Sequence, residues 1–142
     1  MPLTTLKKEQ NFMKNQWIFS RPIAHRGYHS KTILENSKSA FINALNYHLN
    51  IECDVRLTRD NQVVVFHDSD LKRLFNIDQK VIDLTLLELK TISNDEILSL
   101  KELLELVNGQ VGLVIEIKTE SLFQSFTEKV IKIMDNYPYP FA

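Results

Sequence analysis

Glu52 and Asp54 occupy alternate positions in the run IECDVRL, and a His67-Asp68 pair closes the apolar run that follows. On a β-strand alternate residues share a face. Glu52 and Asp54 therefore point the same way, followed by Arg56, while Ile51, Cys53, Val55 and Leu57 fill the face that helices would cover. Two neighbouring carboxylates on one strand need a cation to offset their repulsion and lost hydration. A metal ion is the simplest such partner. Glu116, in the otherwise apolar run VGLVIEIK, offers a third hard oxygen ligand. Carboxylate ligation with room for water suits Mg²⁺ or Ca²⁺ better than zinc or copper. His25 and His67 stand at the ends of two different strands and can act as general base and general acid. Arg26 and Lys118 add fixed positive charge for an anionic substrate. A divalent cation, two imidazoles and two cationic side chains describe phosphodiester cleavage more naturally than acyl transfer.

The elements that must position these groups can be read along the chain. Residues 1–20 form either a short helix closing one end of the core or a loose leader, with Trp17 as packing. Residues 21–142 form the folded domain. Pro22 to Gly27 reads as a short buried strand ending in His25-Arg26 and a glycine turn. Asn36 or Ser37 caps a helix running to about Leu49, with Ala40, Phe41, Ala44, Leu45 and Leu49 inward. The strands at Ile51–Leu57 and Val63–Phe66 join through Arg59-Asp60-Asn61-Gln62, and a polar loop extends to about Asp83. Thr85-Leu-Leu-Glu88 and Ser99-Leu-Lys-Glu102 are capping boxes that open two helices. The second of these carries Leu100, Leu103, Leu104 and Val107 inward and stops at Gly109. The strand Val111–Lys118 and an amphipathic helix over about Ser121–Asn136 complete the order, before two prolines.

Strands thus alternate with helices, apart from the direct step between the second and third strands. The polar residues gather at the C-terminal strand ends, where a parallel βα barrel builds its active site. The expected class is α/β, a TIM-barrel-like parallel βα architecture. A doubly wound open sheet would normally show a glycine-rich phosphate loop, and three glycines leave little room for one.

Composition narrows the functional classes. With 17 basic and 18 acidic residues the net charge is −1, which gives no global attraction to nucleic acid or to acidic membranes. No apolar run reaches the ~20 residues that span a bilayer. One cysteine, Cys53, excludes an internal disulfide framework and fits a reducing, cytoplasmic compartment. Cys53 reads as a small buried hydrophobe, His29 and His48 as exposed, Asp60 and Asp68 as structural, and Asp70, Lys72 and Arg73 as solvated loop charges.

Six segments, Ile23-Ala-His-Arg-Gly27, Glu35-Asn36, Glu52-Cys-Asp54, Thr58-Arg-Asp60, Val64-Val-Phe-His-Asp68 and Ile115-Glu-Ile-Lys118, resemble the glycerophosphodiester phosphodiesterases in order and spacing. The segment IDLTLLELKTI resembles that family's middle region, and the likeness covers residues 22–118. The resemblance implies a TIM-barrel enzyme that cleaves small glycerophosphodiesters to glycerol phosphate and an alcohol. It assigns acid/base roles to His25 and His67, the metal to Glu52, Asp54 and Glu116, and phosphate to Arg26 and Lys118. Glu35 and Asn36 would line the substrate site.

Leu34, Ser37 and Asn61 stand where the family usually has proline, threonine and glycine. Length is the larger departure, because a full barrel takes about 250 residues and only four strands are legible here. The expectation is a barrel truncated to about half, with no counterpart to the later strands. Open strand edges invite pairing, so the chain is a fragment whose remaining half is missing, a partly open domain or, the favoured expectation, a homo-oligomer completing the half-barrel. The alternative to an active enzyme is a catalytically weak or dead half-barrel serving as a metal- and phosphate-binding or assembly module. A phospholipase of the disulfide-containing venom type is disfavoured by the single cysteine.

Overall fold

Every other strand of the sheet pairs with β2 (Asn50–Leu57). In the computed structural model, which describes residues 16–118 and 123–142, β1 (Ile23–His25) runs parallel to the first half of β2, with His25 opposite Glu52. Along the other edge β4 (Leu113–Ile117) is also parallel, placing Asp54 opposite Glu116. β3 (Val63–Val65) is antiparallel to the second half of β2, with Val65 opposite Val55. The expected parallel order therefore holds for β1, β2 and β4, and β3 departs from it. Its connection, residues 58–62, suffices for a hairpin but not for the helix a parallel return needs. Asn61 turns this hairpin at φ +57, a left-handed geometry asparagine tolerates.

The pairing has a consequence for the site. β1 and β4 both meet Glu52, so they flank β2 on opposite edges, and β3 shares the β1 edge because β4 already holds Val55 on the other. β1 and β3 thus run towards each other along one edge, and their C-terminal ends meet near Asp54, whose carbonyl accepts the Phe66 N–H at 2.9 Å. His25 and His67 leave the sheet from these two converging ends.

Helix α1 (Lys38–Asn46) starts where the Ser37 hydroxyl accepts the Ala40 N–H at 3.1 Å, and it buries Ala40, Phe41 and Ala44. It stops short of the expected Leu49, because His48 turns left-handed at φ +54. The stretch expected as a polar loop to Asp83 instead contains helix α2 (Lys72–Phe75) and a 3₁₀ turn at Val81–Asp83. Leu71 and Val81 there join Val64, Phe66, Leu84, Leu89 and Ile97 in a second apolar cluster behind β3. Both capping boxes form, opening α3 (Leu86–Ile92) and α4 (Leu100–Val107). Asn108, left-handed at φ +43, ends α4 one residue before the expected glycine.

Helix α5 spans Phe123–Met134; Ser121 and Leu122 of the expected helix lie outside the described residues. The main core packs α1, α4 and α5 against Ile51, Cys53, Val55 and Leu113 of the sheet. Each fully buried side chain such as Phe41 contributes about 1.5–3 kcal/mol through burial. Trp17, on a 3₁₀ turn at Gln16–Phe19, lies over Gly112 so closely that a Cβ there would overlap the indole. The described sheet has four strands, as expected. Residues 140–142 lie along its far edge, where the Ile115 N–H donates to the Ala142 carbonyl at 2.8 Å and the Ala142 N–H to Leu113 at 2.9 Å. Edge groups left without such partners would be costly wherever water is excluded.

Candidate functional site

The register of three parallel strands assembles the site. Glu52 and Asp54 project from one face of β2, while Ile51, Cys53 and Val55 are buried on the other. Carboxylate oxygens of Glu52, Asp54 and Glu116 all lie within 4.8 Å of one another. Asp54 is 1% exposed, and its Oδ1 has no hydrogen-bond partner. Lys118 Nζ lies 3.7 Å from that oxygen and donates to Glu116 Oε1 at 2.6 Å. Burial, together with the charges of Asp54 and Glu116, pushes the Glu52 carboxyl above its usual range, although the Arg26 backbone N–H donates to it at 2.9 Å. The Lys118 ammonium holds the Glu116 carboxyl below its usual range. A buried acceptor with no donor, beside an acid that burial and repulsion keep from ionising easily, is an arrangement a cation would relieve. The three carboxylates are oxygen ligands suited to a hard divalent ion.

The turn after β1 brings in the arginine. Arg26 is left-handed at φ +57, a conformation costing roughly 1–3 kcal/mol that persists where its surroundings enforce it. Gly27 follows at φ +77, and a Cβ there would lie 2.8 Å from the Ala40 Cβ, so only glycine lets the turn pass this close to α1. Arg26 Nη1 donates to Glu35 Oε1 at 3.1 Å and its Nε lies 3.5 Å from Asp54 Oδ2. Asn36, also left-handed, donates from Nδ2 to Asp54 Oδ2 at 3.0 Å and accepts the Asp54 N–H through Oδ1 at 3.3 Å. Asn36 therefore holds Asp54 by both its carboxylate and its backbone amide.

His25 stands at the rim, with its Nε2 3.9 Å from Glu52 Oε2 and its side chain 67% exposed. His67 is more enclosed. Its Nδ1 is 2.7 Å from Asp68 Oδ1, and the Arg56 Nε donates to its carbonyl at 2.7 Å. Glu35, His67 and Asp68 form a second close group. Arg73 spans that group, donating from Nε to Asp68 Oδ2 at 2.7 Å and from Nη1 to Glu35 Oε2 at 3.1 Å. This guanidinium brings the Asp68 carboxyl down to about 2. Burial pushes Glu35 up, but Arg73 and Arg26 outweigh it and leave the carboxyl below its usual range.

The structure thus brings Glu52, Asp54, Glu116, Lys118, Arg26, Asn36 and His25 around one centre, with Glu35 and His67 in the adjoining group. It corrects the sequence reading of Arg73 as a solvated loop charge, because its fork is committed to two carboxylates. Arg56 also enters as the support of the His67 carbonyl; its place on the strand face of Glu52 and Asp54 was the only sequence signal. A groove of about 860 Å³ lies elsewhere, between α4, α5 and the β2–β3 turn. It holds none of these residues and carries no part of this chemistry.

Comparison with known proteins fits this geometry. The sequence profile of the glycerophosphoryl diester phosphodiesterase family matches residues 25–137. The chain belongs to that family. It is 37% identical over 130 residues to a glycerophosphodiester phosphodiesterase from Caldanaerobacter subterraneus subsp. tengcongensis, covering 82% of this chain and 53% of that one. The crystal structure of a family member from Thermotoga maritima superposes with a TM-score of 0.75 at 40% identity, over 84% of this chain and 51% of that one. An Oleispira antarctica phosphodiesterase, solved with its product sn-glycerol-3-phosphate, gives 0.75 at 26% identity, over 85% and 55%. The chain therefore spans about half the length of the relatives it matches, and its α/β sheet is about half of their barrel.

Proposed function

We propose that this site hydrolyses glycerophosphodiesters to glycerol phosphate and an alcohol, with a divalent cation held by Glu52, Asp54 and Glu116. The observation that carries the reading is the convergence of these three carboxylates around a buried Asp54 oxygen that no donor satisfies. Mg²⁺ or Ca²⁺ suits the all-oxygen set. When bound, the cation would polarise a phosphoryl oxygen and offset developing negative charge.

The chain's own residues supply the remainder. Arg26 and Lys118 grip the anionic phosphate, and Glu35 and Asn36 line the substrate site by fixing Arg26 and Asp54. His25 and His67 divide the proton work: one takes a proton from the water that attacks phosphorus, either on the diester or on a cyclic phosphate formed first by a substrate hydroxyl, and the other gives one to the departing alkoxide. Asp68 holds the His67 ring by Nδ1, which directs Nε2 to the reaction. The substrate is a small phosphodiester, in keeping with the glycerol phosphate bound by the Oleispira relative.

The deciding experiment measures glycerol phosphate released from a glycerophosphodiester by the purified chain. Turnover with Mg²⁺ or Ca²⁺, abolished by chelator and by His25→Ala or His67→Ala, is expected. Hydrolysis that survives chelator, or joint loss of both histidines, rules the reading out. A second reading, cation and phosphate binding without turnover, draws on the chain's spanning only about half of its relatives' length. Calorimetric binding of both ions with no released product would establish it.

The same reading extends to the chain's surroundings. Cys53, free and buried, fits a reducing cytoplasmic setting, and among the described residues no helix is long and apolar enough to cross a membrane. β1 pairs with β2 alone among the described strands, so we infer self-association through open edges. Sedimentation equilibrium showing a cooperatively melting monomer would refute that.

A further inference from the structure

We propose that Arg73 is a positioning residue for His67, acting through Asp68. The inference rests on the proposed role of His67 in proton transfer. Its geometry is a chain of contacts across the mouth of the site. Glu35 follows β1 and Asp68 follows β3, and Arg73 on α2 joins them. Arg73 Nε and Nη2 meet Asp68 Oδ2 and Oδ1 at 2.7 and 3.1 Å, while Nη1 and Nη2 meet the two Glu35 oxygens.

A guanidinium has five N–H donors in a rigid fork, and these contacts engage four of them. Arg73 is therefore committed to the two carboxylates and is not a free phosphate ligand. Glu35 is in turn anchored by Arg26, whose Nε faces Asp54. Asp68 is thus held from behind while its Oδ1 sits 2.7 Å from His67 Nδ1. In the neutral ring that contact places the proton on Nδ1 and the lone pair on Nε2. Without Arg73, Asp68 is free to swing into solvent, and both tautomers become populated. Lysine keeps the charge but is a single point, and it cannot hold two carboxylates in one plane.

The test uses ¹⁵N-histidine-labelled full chain and long-range ¹H–¹⁵N correlation, with the His67 signal assigned by its loss in His67→Gln. In the wild type with neutral imidazole, a single Nδ1–H tautomer is expected. Asp68→Asn sets the pattern of the released ring. Arg73→Met is expected to reproduce that pattern, and Arg73→Lys to move part of the way. Where turnover is measurable, kcat is expected to fall about 10- to 100-fold in Arg73→Met, as for small misplacements of reacting groups, with KM changed less than about twofold.

A single tautomer retained in Arg73→Met overturns the proposal, whatever happens to its melting temperature. If Arg73→Met fails to fold, Arg73→Lys decides on the same criterion, and failure of both to fold overturns it in favour of a scaffold role. A wild type with the fixed tautomer, released by the variants but without hydrolysis, supports the positioning role while refuting the proposed reaction.

Discussion

Glu35 and Asp68 share one guanidinium between them, whereas Glu52, Asp54 and Glu116 lie just as close together around an Asp54 oxygen that receives no hydrogen bond. In the first group Arg73 and Arg26 keep both carboxyls below their usual range. In the second, burial and mutual repulsion raise Glu52 and a buried Asp54 oxygen goes without a donor. Arg26 touches both groups, with Nη1 on Glu35 and Nε facing Asp54. Crowding of acids is therefore not what distinguishes a ligand site here. The difference is whether the protein brings a hydrogen-bond donor to the last oxygen.

The contrast breaks most readily in cation binding. Asp54→Asn is expected to weaken Mg²⁺ or Ca²⁺ binding at least about 100-fold by calorimetry, since loss of outer-shell partners alone reaches that scale. Glu35→Gln is expected to leave the affinity within about threefold. Equal losses in the two variants would erase the distinction. In parallel, saturating cation is expected to raise the wild-type melting temperature, by about 2.7 kcal/mol of stability at a hundredfold excess over Kd, and to leave that of Asp54→Asn unmoved.

Stability in chelator gives the next largest effect, with opposite signs in the two groups. Glu35→Gln leaves two arginines without their shared partner and is expected to cost about 2 kcal/mol, below the range for fully buried pairs because Arg73 is half-exposed. Glu52→Gln removes a carboxylate whose ionised form is disfavoured and is expected to gain about 0.5–1 kcal/mol while weakening cation binding, the trade seen where function needs strain. Urea denaturation of both variants measures the two signs.

The smallest effect is the dependence of stability on pH. The folded pKa of Glu52 lies above 4.5, so ionised Glu52 costs stability at neutral pH, and protonation relieves it as the pH falls through that raised value. Asp68, at about 2 against an ordinary 3.8, and Glu35, below 4.5, behave the other way. Their contribution is complete above the ordinary values and is lost as the pH falls through the depressed ones. Stability in chelator is therefore expected to hold or rise slightly from neutral to about pH 5 and to drop between about pH 4 and 2. Denaturant titrations across this range check both limbs; Glu52→Gln flattens the upper one and Glu35→Gln the lower.

Most of the Glu52, Asp54 and Glu116 group was legible because its determinants are local. The alternation of Glu52 and Asp54 with Ile51, Cys53 and Val55 is a period of two that any strand imposes. The boxes Thr85/Glu88 and Ser99/Glu102 lie within one turn, and both form. Arg73 was not legible in the same way, because its partner Glu35 is 38 residues distant and nothing in the intervening pattern joins them. The second apolar cluster was missed because Leu71, Leu74 and Phe75, although at helical spacing, mark a helix of only four residues, and Val81 follows outside it. The direction of β3 differed from a parallel barrel, yet His67 reached the site, because an antiparallel β3 meets the end of β1 head-on.

Trp17, the single tryptophan of the chain, rests on Gly112 just before β4 begins, whereas Glu116 and Lys118 stand where β4 finishes. At about 3.3 Å per residue this separates the indole from the acids by roughly 13–20 Å along the strand. Its emission is consequently a built-in optical gauge of the barrel floor, deaf to ligands arriving at the opposite rim. Fluorescence unfolding curves can then register the fate of the scaffold without interference from anything bound above it.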